Sequence, residues 1–121
     1  MQLGPLDHVY YQVQDMDRAV AFYEGTLGLT LVRRDESFWA ELDGGPIRLA
    51  LHSTRDGSAV ERGGAVAAFR VEALEETILA LKEQGVEIAH QGEVEGYGRF
   101  ALFPDPDGNM VEIIELTGGR S

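Results

Sequence analysis

The chain has 121 residues, 44% of them hydrophobic and 26% charged, which suits one globular domain with an adequate core and excludes a disordered or fibrous chain. Its formal charge of −11 repels nucleic acid and anionic membrane surfaces, and no long apolar run or charged-then-apolar leader occurs, so the expectation is a cytoplasmic protein with neither as partner. Cysteine is absent, which excludes disulfides and thiolate chemistry and leaves His and carboxylate as metal donors.

Leu6 to Val13 alternates as a strand, with His8, Tyr10 and Gln12 on one face and the more core-like Val9, Tyr11 and Val13 on the other. Asp15 is placed to cap a helix whose Met16, Val20, Tyr23 and Leu27 form one stripe, and Gly28 to end it. Strands are predicted over Leu29 to Arg34, Phe38 to Leu42 and Ile47 to His52, the last two joined by a hairpin signal at Asp43-Gly44-Gly45. Ser53 to Gly64 reads as a polar connector.

A shift of 58 residues lays Tyr11 on Phe69, Val13 on Val71, and Met16, Val20 and Tyr23 on Leu74, Ile78 and Leu81. The second half therefore repeats the first: a helix from about Ala73 to Gln84, ended by Gly85, then strands near Val86 to Gln91, Arg99 to Phe103 and Met110 to Leu116. Two copies of strand, helix and three strands predict an α+β fold of paired modules, about 5–53 and 64–117, in a single domain over 1–121.

The last strand carries an oddity. Glu112 shares a face with Ile114 and Leu116, and Glu115 shares the other with Val111 and Ile113, so one carboxylate must enter an apolar layer or cleft and needs a partner there. The turn before it, Asp105-Pro106-Asp107-Gly108-Asn109, has the composition of a tight chain reversal.

These residues carry a resemblance. Leu6-Asp7-His8-Val9, the helix Asp17-Arg18-Ala19-Val20-Ala21-Phe22-Tyr23 running into Leu27-Gly28-Leu29, and Asp105-Pro106-Asp107-Gly108-Asn109 leading to Glu112 resemble the vicinal oxygen chelate superfamily, the glyoxalase, bleomycin-resistance and extradiol dioxygenase group. The resemblance covers essentially the whole chain and implies paired βαβββ modules with curved mixed sheets enclosing a cleft, commonly in a homodimer. It also implies metal ligands on the first and fourth strands, at His8 and Glu112.

Departures from the family pattern accompany it. His8 shifted by 58 is Val66, so a usual ligand is missing, and matching Ile47-Arg48-Leu49 to Val111-Glu112-Ile113 sets Arg48, which cannot ligate a metal, opposite Glu112. Arg48 is then either an anchor for an anionic substrate group or an ion-pair partner of Glu112. His52, on the strand face of Arg48, is a substitute ligand or a solvated strand end. With His8 and Glu112 it would complete a two-His, one-carboxylate site for one divalent ion, Fe, Mn, Zn or Ni. Tyr10, Trp39 and Phe100 are candidate pocket walls alongside Tyr97, core packing being the alternative for aromatic residues. His90 has no family counterpart and is expected at the surface. The glycines from Gly92 to Gly98 suggest a flexible loop, and no Gly-x-Ser-x-Gly nucleophile motif occurs.

Three functions follow from the resemblance. The first is a metal-dependent lyase, isomerase or dioxygenase-like enzyme acting on a small oxygen-chelating substrate, with Glu112 or Glu41 as base. The second is a metal-free protein of the bleomycin-resistance kind that sequesters an aromatic or cationic compound. The third is a partner subunit or regulator with a vestigial cleft.

Overall fold

Asp15 takes the extended conformation (φ −127°) and its carboxylate accepts the Arg18 amide at 3.1 Å, so the chain turns into a helix where the capping residue predicts it. A computed structural model of the protein describes residues 1–2, 7–54 and 65–117. They fall into two compact units, Met1–Gly63 and Gly64–Ser121, each with the order βαβββ.

In the first unit β1 (His8–Val13) is followed by α1 (Met16–Val20), which widens into a π-helical segment (Ala21–Thr26), and by β2 (Leu31–Asp35), β3 (Trp39–Asp43) and β4 (Arg48–Ser53). The sheet runs β1-β4-β3-β2, with β1 parallel to β4 and the other neighbours antiparallel. The second unit has β5 (Ala67–Arg70), α2 (Leu74–Glu83), β6 (His90–Val94), β7 (Gly98–Pro104) and β8 (Met110–Leu116), and its sheet repeats the pattern as β5-β8-β7-β6.

Each helix covers one face of its own sheet. In the first unit Met16, Ala19, Val20 and Tyr23 are buried with Tyr11 and Val13 of β1, Ala40 and Leu42 of β3, and Leu49 and Leu51 of β4. Tyr23 is fully buried and stacks on Tyr11 with ring centroids 6.4 Å apart. Burying a side chain of this size stabilises by about 1.5–3 kcal/mol. In the second unit Leu74, Ile78 and Leu81 meet Ala101, Phe103, Val111 and Ile113. Strand alternation sends the intervening residues to the opposite face, which the unit's own helix leaves bare.

Two strands begin later than their composition predicts, for one reason. Leu29 donates its amide to the Tyr23 carbonyl and Val86 to the Leu81 carbonyl, both at 3.0 Å, so these apolar residues finish the helices rather than start strands. Gly28 (φ 77°) and Gly85 (φ 85°) supply the left-handed turn at each exit. β6 consequently covers His90–Val94, not Val86 to Gln91. It also takes in Gly92, expected in a loop, because the Phe100 ring lies across that position: a β-carbon there would sit 2.8 Å from Phe100 Cζ. The Gly92-to-Gly98 stretch is thus a strand end and a tight turn at Glu95-Gly96-Tyr97, closed by the Tyr97 amide on the Val94 carbonyl. Ser53, expected in the connector, is buried in β4; residues 55–64 of that connector, and Leu6, lie outside the described residues.

Pairing within the sheets also corrects the repeat. Tyr11 pairs with Leu51 and Phe69 with Ile113, so the shift of 58 in the first strand becomes 62 in the fourth. Arg48 then corresponds to Met110 and Glu112 to Ala50. The sequence match that set Arg48 opposite Glu112 uses an offset of 64 and so overshoots by two residues; the second module carries four extra residues between its first and last strands, and only the strand pairing counts them.

The oddity of the last strand resolves in favour of Glu115 as the structural acid. Ala73 offers no side-chain cap to α2, and Glu115 supplies one from β8: its carboxylate accepts the Leu74 amide at 2.9 Å and Arg99 at 3.1 Å. The bond from the Leu74 amide, then that from Arg99, holds the Glu115 carboxyl below its ordinary pKa. The turn before β8 is equally built. Asp105, 5% exposed, accepts the amides of Asp107 (2.9 Å) and Asn109 (2.8 Å) and the Asn109 side-chain amide (3.0 Å). This turn sets where β8 begins.

Candidate functional site

The bare face of the first sheet collects the chemistry-bearing residues. Cross-strand register places His8 beside Arg48, Arg48 beside Asp43, His52 beside Gln12 and Trp39, Glu41 beside Ala50 and Arg33, and Trp39 beside Asp35. All lie on the side away from the helix, since their strand neighbours Tyr11, Val13, Leu42, Leu49 and Leu51 are the buried ones. Trp39 sits at the centre. Its ring centroid is 5.5 Å from His8 in an edge-on contact, 6.0 Å from Tyr10 and 5.9 Å from His52. Tyr10 closes the group with His52 at 6.0 Å and His8 at 6.4 Å.

Glu41 holds this aromatic wall in place. One carboxylate oxygen accepts the Trp39 indole N–H at 2.8 Å, and the other accepts Arg48 Nη1 at 2.9 Å. Arg33 lies 3.7 Å from Glu41 and donates to Asp35 at 2.6 Å. That hydrogen bond first, and then the charges of Asp35 and Glu41, raise the Arg33 pKa further, so the guanidinium stays charged. The Glu41 side chain is 16% exposed and that of Arg48 44%, so the carboxylate forms the floor and the guanidinium reaches toward solvent. His8 Nδ1 lies 2.8 Å from an Asp7 carboxylate oxygen. A carboxylate acceptor makes Nδ1 the donating nitrogen and leaves Nε2 available to a ligand.

Of the residues singled out in the sequence, His8, Tyr10, Trp39, Arg48 and His52 are brought together here. The role of Glu41 was visible only as a base; the period-2 alternation that puts Trp39 and Glu41 on one face is the signal that identifies it as an anchor. Arg48 takes Glu41 as its carboxylate partner. Glu112 and Phe100 lie on the corresponding bare face of the second sheet, Glu112 half-buried beside Ala68 and Leu102, and Phe100 5.7 Å from an exposed His90.

Within the first unit His8 and His52 stand too far apart along the sheet to share one ion. His8 is level with Arg48 and His52 four residues further along β4, a separation of about 13 Å at ~3.3 Å per residue. Two imidazoles on one ion need nitrogens within roughly 3–4 Å, since each bond is about 2.0–2.1 Å. Trp39 stands against both rings instead. Among the described residues no three His, Asp or Glu side chains converge as a metal site. Nor, among them, is any helix long and apolar enough to cross a membrane.

Known proteins share this architecture. The metallothiol transferase FosB of Shouchella clausii is 27% identical over 113 residues, 89% of this chain and 77% of that protein. A probable chloroplastic lactoylglutathione lyase of Arabidopsis thaliana is 31% identical over 122 aligned positions, covering 89% of this chain; the match spans only 35% of that relative's length. Among solved structures, TnmS3, an antibiotic binding protein from Streptomyces sp. CB03234, superposes with a TM-score of 0.78 at 23% identity, covering 97% of this chain and 99% of the other, a likeness of fold. Residues 5–113 match the family described as Glyoxalase/Bleomycin resistance protein/Dioxygenase superfamily, and the chain belongs to it.

Proposed function

We propose that the protein binds a flat, ring-bearing small molecule on the bare face of its first sheet. The observation that carries this reading is the half-open aromatic cluster of His8, Tyr10, Trp39 and His52, in which Tyr10 is 53% exposed while the Trp39 indole is tethered below it. An apolar ring on such a surface gains from stacking, about 0.5–1.5 kcal/mol per aromatic pair beyond area burial. Trp39, the single tryptophan, is its own reporter. Titration with planar aromatic compounds should change Trp39 emission saturably, and Tyr10→Ala should weaken binding about tenfold. No saturable change with any planar compound, tested at millimolar concentration, sinks the reading. Similarity of fold to an antibiotic binding protein supports it.

One observation favours a metal-assisted lyase, isomerase or dioxygenase-type reaction as the second reading: among the described residues the half-buried Glu112 carboxylate has no hydrogen-bond partner, which leaves its oxygens open to a metal ion or a substrate proton. The candidate ligands are then His8, His52 and Glu112, with Phe100 beside the substrate, and the separation of His8 from His52 allows only one of the two on a given ion. Elemental analysis of protein purified without chelator decides it. Stoichiometric Fe, Mn, Zn or Ni that is lost in both His8→Ala and Glu112→Ala supports the metal; retention in either variant removes that residue from the ligand set. A homodimer is part of this proposal, because each four-stranded sheet ends in unclosed edges. Sedimentation as a monomer at micromolar concentration would exclude it.

A further inference from the structure

We infer that the ligand of the aromatic face is a planar aromatic acid, its ring on Tyr10 and Trp39 and its carboxylate on Arg48. The inference rests on the binding reading above and adds the ligand's charge. It follows from an imbalance between donors and acceptors on this face. The carboxylates are already engaged: Glu41 with Trp39, Arg48 and Arg33, Asp35 with Arg33, Asp43 with the Gly45 amide at 2.9 Å, and Asp7 with His8. The donors are not. Among the described residues the Tyr10 hydroxyl, both His52 ring nitrogens, and Nε and Nη2 of Arg48 make no side-chain hydrogen bond.

Arg48 is the decisive group, because Glu41 takes Nη1 and so leaves the Nε–Nη2 edge. That edge is the side of a guanidinium that receives a carboxylate bidentately, with two parallel N–H···O bonds. Glu41 therefore orients the fork rather than occupying it, and the same carboxylate fixes the neighbouring Trp39 indole. Ring platform and fork thus share one carboxylate, the Trp39 indole N–H on one oxygen of Glu41 and Arg48 Nη1 on the other. A cationic aromatic would gain from the ring faces but would find its natural partner, Glu41, shared among an indole and two guanidinium groups. The part of the −11 net charge that lies far from this face is largely screened at 0.15 M salt, and the two carboxylates beside Arg48, those of Glu41 and Asp43, are held by the donors named above.

Isothermal titration calorimetry at 0.15 M salt with 2-naphthoate, 2-naphthamide and 2-naphthylmethylammonium tests this on one ring with three charges. The acid should bind at least tenfold more tightly than the amide, and the amine should be weakest. Arg48→Ala should bring 2-naphthoate down toward the amide's affinity, with a loss far exceeding that of the amide, whose neutral carbonyl cannot take both N–H groups of the fork as a carboxylate does. Arg48→Lys, which keeps the charge without the fork, should recover only part. Equal affinity for acid and amide, tightest binding of the amine, or an Arg48→Ala variant that binds the acid as before would overturn the inference while leaving flat-ligand binding intact. Failure of all three compounds, with no planar compound changing Trp39 emission, would overturn both.

Discussion

Replacing Glu41 by Ala tests whether the aromatic wall is pre-set by its carboxylate floor. The Trp39 indole loses a 2.8 Å bond to a charged acceptor, in a class worth about 1.5–3 kcal/mol. The Arg48 pair adds little, about 0–1 kcal/mol, because that guanidinium is nearly half exposed. Arg33, at 3.7 Å and already bonded to Asp35, contributes nothing we would count. The expected loss is about 2–3 kcal/mol, which with a urea slope of roughly 1–3 kcal/mol per M lowers the midpoint by about 0.7–3 M. Glu41→Gln keeps an acceptor for the indole and should lose only about 1 kcal/mol. Urea unfolding followed by Trp39 emission measures both, and acrylamide quenching in the native state reports whether the indole has been released. A Glu41→Ala midpoint within about 0.3 M of the parent, with unchanged quenching, would refute the tether and with it the claim that the wall is rigid before ligand arrives.

Other expectations concern the second unit. Asp105→Ala leaves two Asn109 donors and the Asp107 amide without their acceptor, and the buried site should make this cost about 3–5 kcal/mol; Asp105→Asn, which can still accept the two backbone amides, should cost about half as much by circular dichroism melts in urea. Glu115 carries a pH signature. Its pKa is lowered in the folded state, so its stabilising contribution is complete above its ordinary value of 4.5 and is lost as pH falls through the depressed one. The stability gap between the parent and Glu115→Gln should therefore be flat from pH 7 to about 5 and close in more acid solution; a gap that persists undiminished at pH 2 would mean the carboxylate is not the cap of α2.

Local chemistry accounts for much of what the amino-acid order reveals. Asp15, Gly28 and Gly85 mark helix ends through bonds and backbone angles that involve only near neighbours. Period-2 alternation sorts β1 into Tyr11 and Val13 against the helix and His8, Tyr10 and Gln12 on the bare face, while Val9, expected with the core pair, is exposed near the start of the strand. Repetition of that pattern in the second half was enough to expect two βαβββ modules. Pairing register was beyond it. The offset between the halves changes from 58 to 62 between first and last strands, and only the hydrogen-bonded neighbours Tyr11–Leu51 and Phe69–Ile113 show where the change falls.

Partner choice was hidden for the same reason. Nothing local ties Glu115 to the Leu74 amide 41 positions away, or makes Glu41 rather than Glu112 the carboxylate on Arg48. Nor does composition tell that His8 and His52, on one face of adjacent strands, stand about four residues apart with Trp39 against both. A strand's alternation determines which side a residue takes. How far along the sheet it sits, and therefore whether two rings can share an ion or wall a ligand, is decided by strand pairing, which is set by contacts distant in sequence.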